Sequence, residues 1–144
     1  MALKPGISGI DTVMKGLNGK LIEYQIDGVQ GMRNAAGFIR RDMEITPPLV
    51  PLDIGNLRAS WFIESTRQLG VKNRVGVSFG FSANYAVYVH ERMEGAPWGE
   101  GIVGDINWSR PGSGPKFLEA AIKRNVFKIL LIIRKKMTIG GTKI

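Results

Sequence analysis

The sequence contains no cysteine and only one histidine among its 144 residues. Without cysteine the chain can form no disulfide and no thiolate metal site, and it has no thiol nucleophile. This absence is typical of proteins that fold in a reducing cytoplasm. His90 is followed by Glu91, but Glu94 stands where a zinc-protease helix would place its second histidine. We therefore expect neither a metal site nor a cofactor.

Long hydrophobic runs are also missing. The longest uninterrupted apolar run is Ile129 to Ile133, whereas a membrane helix needs ~20 predominantly apolar residues. The first ten residues lack the basic start and the apolar stretch of a signal peptide. We expect no membrane association. We also expect the protein to be made in the cytoplasm.

No catalytic motif is evident. The glycine-serine-glycine elbow of hydrolases is absent. The segment 112–116 superficially resembles a phosphate loop, but Phe117 stands where a Ser or Thr is needed and Pro115 lacks a backbone donor. The sequence cannot decide on a Ser–His–Asp arrangement, because its members meet only in the fold. We expect a protein that is not an enzyme and assign no catalytic residue.

The formal net charge of +8 is unevenly distributed along the chain. Residues 1–114 carry 12 Lys/Arg and 11 Asp/Glu, whereas residues 115–144 carry eight Lys/Arg and only Glu119. Such a basic segment favours a polyanionic partner such as DNA. The alternative is a solvated helix face whose cations lie near the helix C-terminus, where the helix dipole favours them.

The first half of the chain predicts one long helix. Apolar residues recur at helical spacing from Gly19 to Ile45, and Pro47 and Pro48 end the pattern. Residues 1–18, which hold three glycines and Pro5, are predicted to form an irregular arm with a short helical turn. A second face of the helix combines small and aromatic residues, which favours close approach of another chain or element: Tyr24, Gly31, Ala35 and Phe38. We treat these four as a candidate partner interface.

The second half predicts a hairpin followed by a helix. Two alternating runs, from Ser60 to Gln68 and from Val75 to Gly80, flank a short polar turn. Gly76 and Gly80 leave one strand face bare, which would suit packing by the long helix. The segment 85–91 fits either a strand or a helical turn.

Residues 92–114 are predicted to form a glycine-rich loop. It carries Trp98 and Trp108, which we add to the candidate partner interface because tryptophan often anchors interfaces. Pro115 to Met137 is predicted to be helical, and residues 138–144 are predicted to be a flexible tail. The buried stripe of this helix is predicted to comprise Leu118, Ile122, Val126, Ile129, Ile133 and Met137. Together these elements predict a single α+β domain, a small antiparallel sheet packed by two helices, with its core in residues 19–137.

Three motifs in order carry a family resemblance. The first is the segment 50–60, which includes Asp53, Gly55, Leu57 and Arg58; the second is 85–91, from Tyr85 to His90 and Glu91; the third is 114–121, which includes Phe117 and Leu118. Together they resemble the tail-completion, or head–tail joining, proteins of long-tailed bacteriophages, also called neck or minor capsid proteins. The resemblance covers residues 10 to 137.

The resemblance implies a structural virion protein of the neck. Its subunits would form a ring, six-fold or alternatively twelve-fold, around the channel through which the genome passes. Its partners would be a portal-side connector or adaptor, a tail terminator or tail tube protein, and nearby genomic DNA. A tail terminator, a minor capsid component and a basic DNA-binding module remain alternatives. The residues of the three motifs are expected to have structural roles. Asp53 and Asn56 are expected to cap and turn the chain, and Arg58 is expected to pair with His90 and Glu91.

Overall fold

The computed structural model describes residues 9–52, 55–66, 75–91 and 110–137. Its elements are, in order, α1 (Ile10–Ile45), α2 (Asn56–Ala59), β1 (Trp61–Thr66), β2 (Gly76–Phe81), α3 (Ala86–Glu91) and α4 (Phe117–Lys136). The predicted α+β class is confirmed: a long N-terminal helix and a C-terminal helix accompany a two-stranded antiparallel sheet. The predictions for Asp53, Trp98, Trp108 and the tail 138–144 lie outside the described residues.

Helix α1 begins nine residues earlier than the sequence predicts. The prediction of an irregular arm is wrong for residues 10–18, which are helical from Ile10 onward. Gly16 favoured that prediction, although a glycine weakens a helix by only about 1 kcal/mol relative to alanine. The helix ends where predicted: the Thr46 N–H donates to the Asp42 carbonyl at 2.8 Å, and two prolines follow.

Helix α4 packs antiparallel along the second half of α1. Arg124, near its start, pairs with Asp42, and Met137, at its end, lies against Gly28. Its bounds agree with the prediction within two residues, and Leu118, Ile122 and Ile129 of the predicted stripe are half-buried and pack against the core. The fully buried positions are Phe117, Ala121 and Asn125, because the close approach to α1 selects small side chains beyond the first turn. Val126, predicted to be buried, is 43% exposed.

The hairpin presents its aromatic face to the helices. Trp61 pairs with Phe81 and Ile63 pairs with Phe79 across the strands. The Phe81 ring lies 5.6 Å from the ring of Phe117 on α4 in an edge-on arrangement. The expectation that the glycine face would receive the long helix is therefore wrong.

The glycine face is covered within the hairpin itself. A Cβ placed on Gly80 would lie 3.6 Å from the ring of Phe62, its partner on the opposite strand. An aromatic side chain from β1 thus fills the space that the glycine leaves.

The hydrophobic core lies at the C-terminal end of α1. It comprises Ile39, Met43, Val50, Leu57, Ala86, Phe117 and Ala121, with the hairpin aromatics packed against it. Of the two structures that residues 85–91 allowed, the helical one is adopted; Ala86 of α3 is buried in the core and Val89 packs against it. The first half of α1 contributes nothing to this core.

Candidate assembly surfaces

The first eighteen residues of α1, Ile10 to Asp27, form a segment that we call the α1 extension. Because α4 runs antiparallel and ends opposite Gly28, the extension continues past the end of α4. At 1.5 Å per residue it is about 27 Å long. No described residue comes within 4 Å of a Cβ placed on Gly16 or Gly19.

The α1 extension carries large apolar side chains that face solvent. Their exposed fractions are 50% for Ile10, 61% for Val13, 52% for Met14, 60% for Leu17, 47% for Leu21, 58% for Ile22, 36% for Tyr24 and 63% for Ile26. Single exposed apolar residues are common, but a contiguous group of this size typically marks an interaction surface.

One stripe of residues runs the whole length of α1. Its members are separated alternately by four and three positions, the spacing of a helix–helix seam: Ile10, Met14, Leu17, Leu21, Tyr24, Gly28, Gly31, Ala35, Phe38 and Asp42. We call this stripe the seam. Its second half, from Gly28 onward, faces α4. Its first half lies on the same side of the helix, in the α1 extension.

Residue size along the seam changes where α4 ends. A Cβ on Gly28 would lie 3.3 Å from the end of the Met137 side chain, and one on Gly31 would lie 3.1 Å from the backbone of Ile133. Small residues are therefore required at these two positions, beside the end of α4. The uncovered half carries Leu17 and Leu21 instead, which suits a second helix held at a greater distance.

Helix α4 has an exposed apolar surface of its own. Val126, Phe127, Leu130 and Leu131 are exposed by 43%, 83%, 57% and 63%. They project from the side of α4 opposite the buried Ala121 and Asn125. We call these four residues the α4 outer face. A helix that is apolar on both sides is normally covered on both sides.

The charges of the two surfaces differ. Helix α4 and the residue before it carry seven cationic residues against Glu119, whereas the α1 extension carries three acidic and two basic residues. Some of these cations are paired within the chain. The Nζ of Lys123 donates to Glu119 at 2.5 Å, and the ammonium group of Lys128 lies 5.9 Å from the centroid of the Phe38 ring. Helix α4 as a whole therefore carries excess positive charge, whereas the extension is weakly acidic.

Arg124 fixes the end of α1 against α4. Its Nε donates to the Asp42 carboxylate at 2.6 Å, and its two terminal nitrogens donate to the carbonyl oxygens of Pro47 and Thr46, each at 2.9 Å. The Asp42 side chain is only 13% exposed. One guanidinium thereby pairs with a carboxylate and caps the last turn of α1, so the register of the seam is held at this end.

His90 belongs to a structural cluster at the start of α4. The His90 Nδ1 lies 2.8 Å from the Glu91 carboxylate, which also accepts a hydrogen bond from the Lys116 side chain. The backbone carbonyl of His90 accepts from the Lys116 N–H at 2.8 Å. The side-chain hydrogen bonds to the Glu91 carboxylate lower the pKa of Glu91 below its ordinary value; the one from Lys116 contributes most and the one from His90 comes next. The cluster joins α3 to α4.

Arg58, which the sequence grouped with His90 and Glu91, pairs elsewhere. Its guanidinium lies 2.7 Å from Glu44 on α1. That part of the grouping is wrong, because the turn before β1 brings α2 to the end of α1. Within the described ranges, no group of three or more His, Asp or Glu residues could hold a metal ion.

The predicted interface residues are used in two ways. Gly31 and Ala35 are buried within the chain against α4, so the approaching element is intramolecular. Phe38 is partly covered by Lys128, and Tyr24 is exposed on the uncovered half of the seam. Sequence reasoning missed the α4 outer face and the residues from Ile10 to Leu21. The signal that could have found the latter is the unbroken four–three spacing through Gly16 and Gly19.

The remaining motif residues serve the fold. Gly55 precedes α2 with a φ of 79°, a left-handed value that favours glycine, and Leu57 is 4% exposed in the core. In the part of the chain that the structure describes, no helix has the length and apolarity required to cross a membrane. Comparisons with protein-family models, curated proteins and solved structures found no match for this chain.

Proposed function

We propose that this protein is a structural subunit of a tailed bacteriophage virion, assembled as a ring in the neck that joins head to tail. The observation that carries the proposal is the presence of two solvent-facing apolar helix surfaces, the α1 extension and the α4 outer face, on one small chain. Surfaces of this kind are typical of subunits that are covered by neighbours in an assembly.

The arrangement of the three motifs also supports the proposal. Leu57 from the first, Ala86 from the second and Phe117 from the third are 4%, 8% and 1% exposed and belong to one core cluster. Segments that are distant in sequence thus form one packing unit. A resemblance carried by residues that pack together is more informative than three separate short matches, because the same fold would require all three.

In this role the protein would act by binding rather than by catalysis. Its ring would contact a portal-side connector or adaptor on one side and a tail terminator or tail tube protein on the other. The subunits would be made in the host cytoplasm and reside in the virion. The positive charge of α4 would be compatible with DNA passing through the ring, since contacts to phosphates require no sequence-specific site.

The direct test is removal of the gene from the phage that encodes it. We expect DNA-filled heads and complete tails that stay separate in electron micrographs, and we expect added purified protein to join them. Heads joined to tails in the absence of the protein would contradict the proposal. Tails of abnormal length would indicate a terminator instead, and defective heads would indicate a capsid component.

The charge of α4 favours DNA binding as a second candidate function. Arg134, Lys135 and Lys136 occupy the last turn of the helix, so positive charge is concentrated at its C-terminal end. A DNA-binding module would retain duplex DNA strongly at low salt, with affinity falling steeply as salt rises. Gel-shift assays at two salt concentrations test this. A joining subunit should show little retention at physiological salt.

A further inference from the structure

We infer that the α1 extension of one subunit packs on the α4 outer face of the next subunit, head to tail. The inference rests on the proposed function, because it identifies the contact that builds the ring. It names a second copy of this chain as the occupant of both apolar surfaces.

Continuity of the seam indicates that the occupant of the extension is a helix. From Gly28 to Asp42 the seam already packs against an antiparallel helix, α4 of the same chain. From Ile10 to Tyr24 the four–three spacing and the helix continue without interruption. A seam of this spacing accepts side chains from a facing helix into its gaps.

The α4 outer face has the properties of that facing helix. Phe127 and Leu131 are one turn apart, as are Val126 and Leu130, so the four side chains form two adjacent ridges. All four are exposed. Large side chains on both helices match each other, whereas Gly28 and Gly31 match the close approach of α4 within the chain.

Charge and coverage favour the head-to-tail arrangement over pairing of like surfaces. Two α4 outer faces placed together would bring Lys123 and Arg134, one turn from Phe127 and Leu130, against the same cations of the other copy. Two α1 extensions placed together would leave Phe127 and Leu130 uncovered. A contact between unlike surfaces covers both faces of every subunit, and repetition of such a contact closes into a ring when its rotation allows.

Cysteine cross-linking can test the contact without interference from native thiols, because the chain has no cysteine of its own. Leu17→Cys and Leu130→Cys each replace an exposed side chain, so neither should disturb folding. Circular dichroism checks this before use. The two variants, one of them tagged, are mixed at high concentration and treated with a short bis-maleimide.

We expect covalent heterodimers in the mixture, at several times the yield from either variant alone. The double variant Leu17→Cys/Leu130→Cys should give a ladder that stops at the number of subunits in the ring. Val87→Cys, at a 70% exposed site on α3 outside both surfaces, sets the background when it is mixed with Leu17→Cys.

Two results would overturn the inference. Homodimers of Leu17→Cys alone would show that extensions pair with each other, and heterodimer yields no higher than the Val87→Cys background would show that the surfaces do not meet. If heads are still joined to tails, either result would reject only the inferred contact and leave the proposed function in place. If the purified protein fails to join separate heads and tails, the proposed function is rejected, whatever the cross-links show.

Discussion

Gly31 and Ile133 approach so closely that a Cβ on the glycine would lie 3.1 Å from both the Cα and the carbonyl oxygen of Ile133. The contact is with backbone, so no side-chain rotation can relieve it. This approach sets the distance between α1 and α4. It also marks the part of the seam that serves folding, whereas the α1 extension is left for assembly.

Replacement of Gly31 should therefore destabilise the protein. Gly31→Leu is expected to lower the free energy of unfolding by about 1–3 kcal/mol, because α4 must move away from α1. Gly37→Ala is the matched control on the same helix, since nothing lies within 4 Å of its added Cβ. That variant should gain about 1 kcal/mol from helix propensity. Urea denaturation of both proteins checks the prediction, and equal stabilities would contradict the role assigned to Gly31.

Arg124 should be the most costly surface cation to remove. Arg124→Ala leaves Asp42, only 13% exposed, without its partner and uncaps two carbonyl groups. We expect a loss of about 2–3 kcal/mol in the free energy of unfolding. Lys20→Ala is the control, because the Lys20–Glu23 pair is exposed on both sides and such pairs contribute about 0–1 kcal/mol. Similar losses in the two variants would argue against the capping role.

Acid should weaken the junction between α3 and α4. Since hydrogen bonds from Lys116 and His90 lower the pKa of Glu91 in the fold, its stabilisation is complete above the ordinary pKa of 4.5. It is lost as the pH falls through the lowered value. The stability difference between wild type and Glu91→Gln should thus shrink below pH 4.5. Thermal melts across this range measure it.

A second variant tests the cause of that pH dependence. Lys116→Gln removes the partner that contributes most to the lowered pKa of Glu91. It should flatten the same acidic part of the stability curve while Glu91 is still present. If stability depends on pH in the acidic range as strongly in both variants as in the wild type, this cluster does not link pH to folding.

Elements with strong local signals were predictable from the sequence. The proline pair after Ile45 fixed the end of α1, and the polar turn between two alternating runs indicated the hairpin. Residues 85–91 stayed ambiguous because a segment of seven residues holds barely two helical turns. The core position of Ala86 decides its structure, and that depends on tertiary packing.

The candidate assembly surfaces were harder to predict, for a physical reason. Periodicity shows which residues share a helix face but not whether that face is covered. Phe127 and Leu130 therefore look the same in sequence whether they are buried or, as here, 83% and 57% exposed. Gly31 presents the converse case: its small size predicted a close approach, but only the structure shows that the approaching element is α4 of the same chain.

The central claim, self-assembly through the α1 extension, is tested most directly by the mass of the purified protein in solution. Light scattering should give a closed oligomer for the wild type and for Val87→Glu, which places a glutamate on an exposed apolar site elsewhere. Leu17→Glu/Leu21→Glu should be monomeric with an unchanged melting temperature, because both side chains are exposed in the subunit. An oligomer that survives the double substitution, or a wild-type protein that stays monomeric at high concentration, would contradict the account.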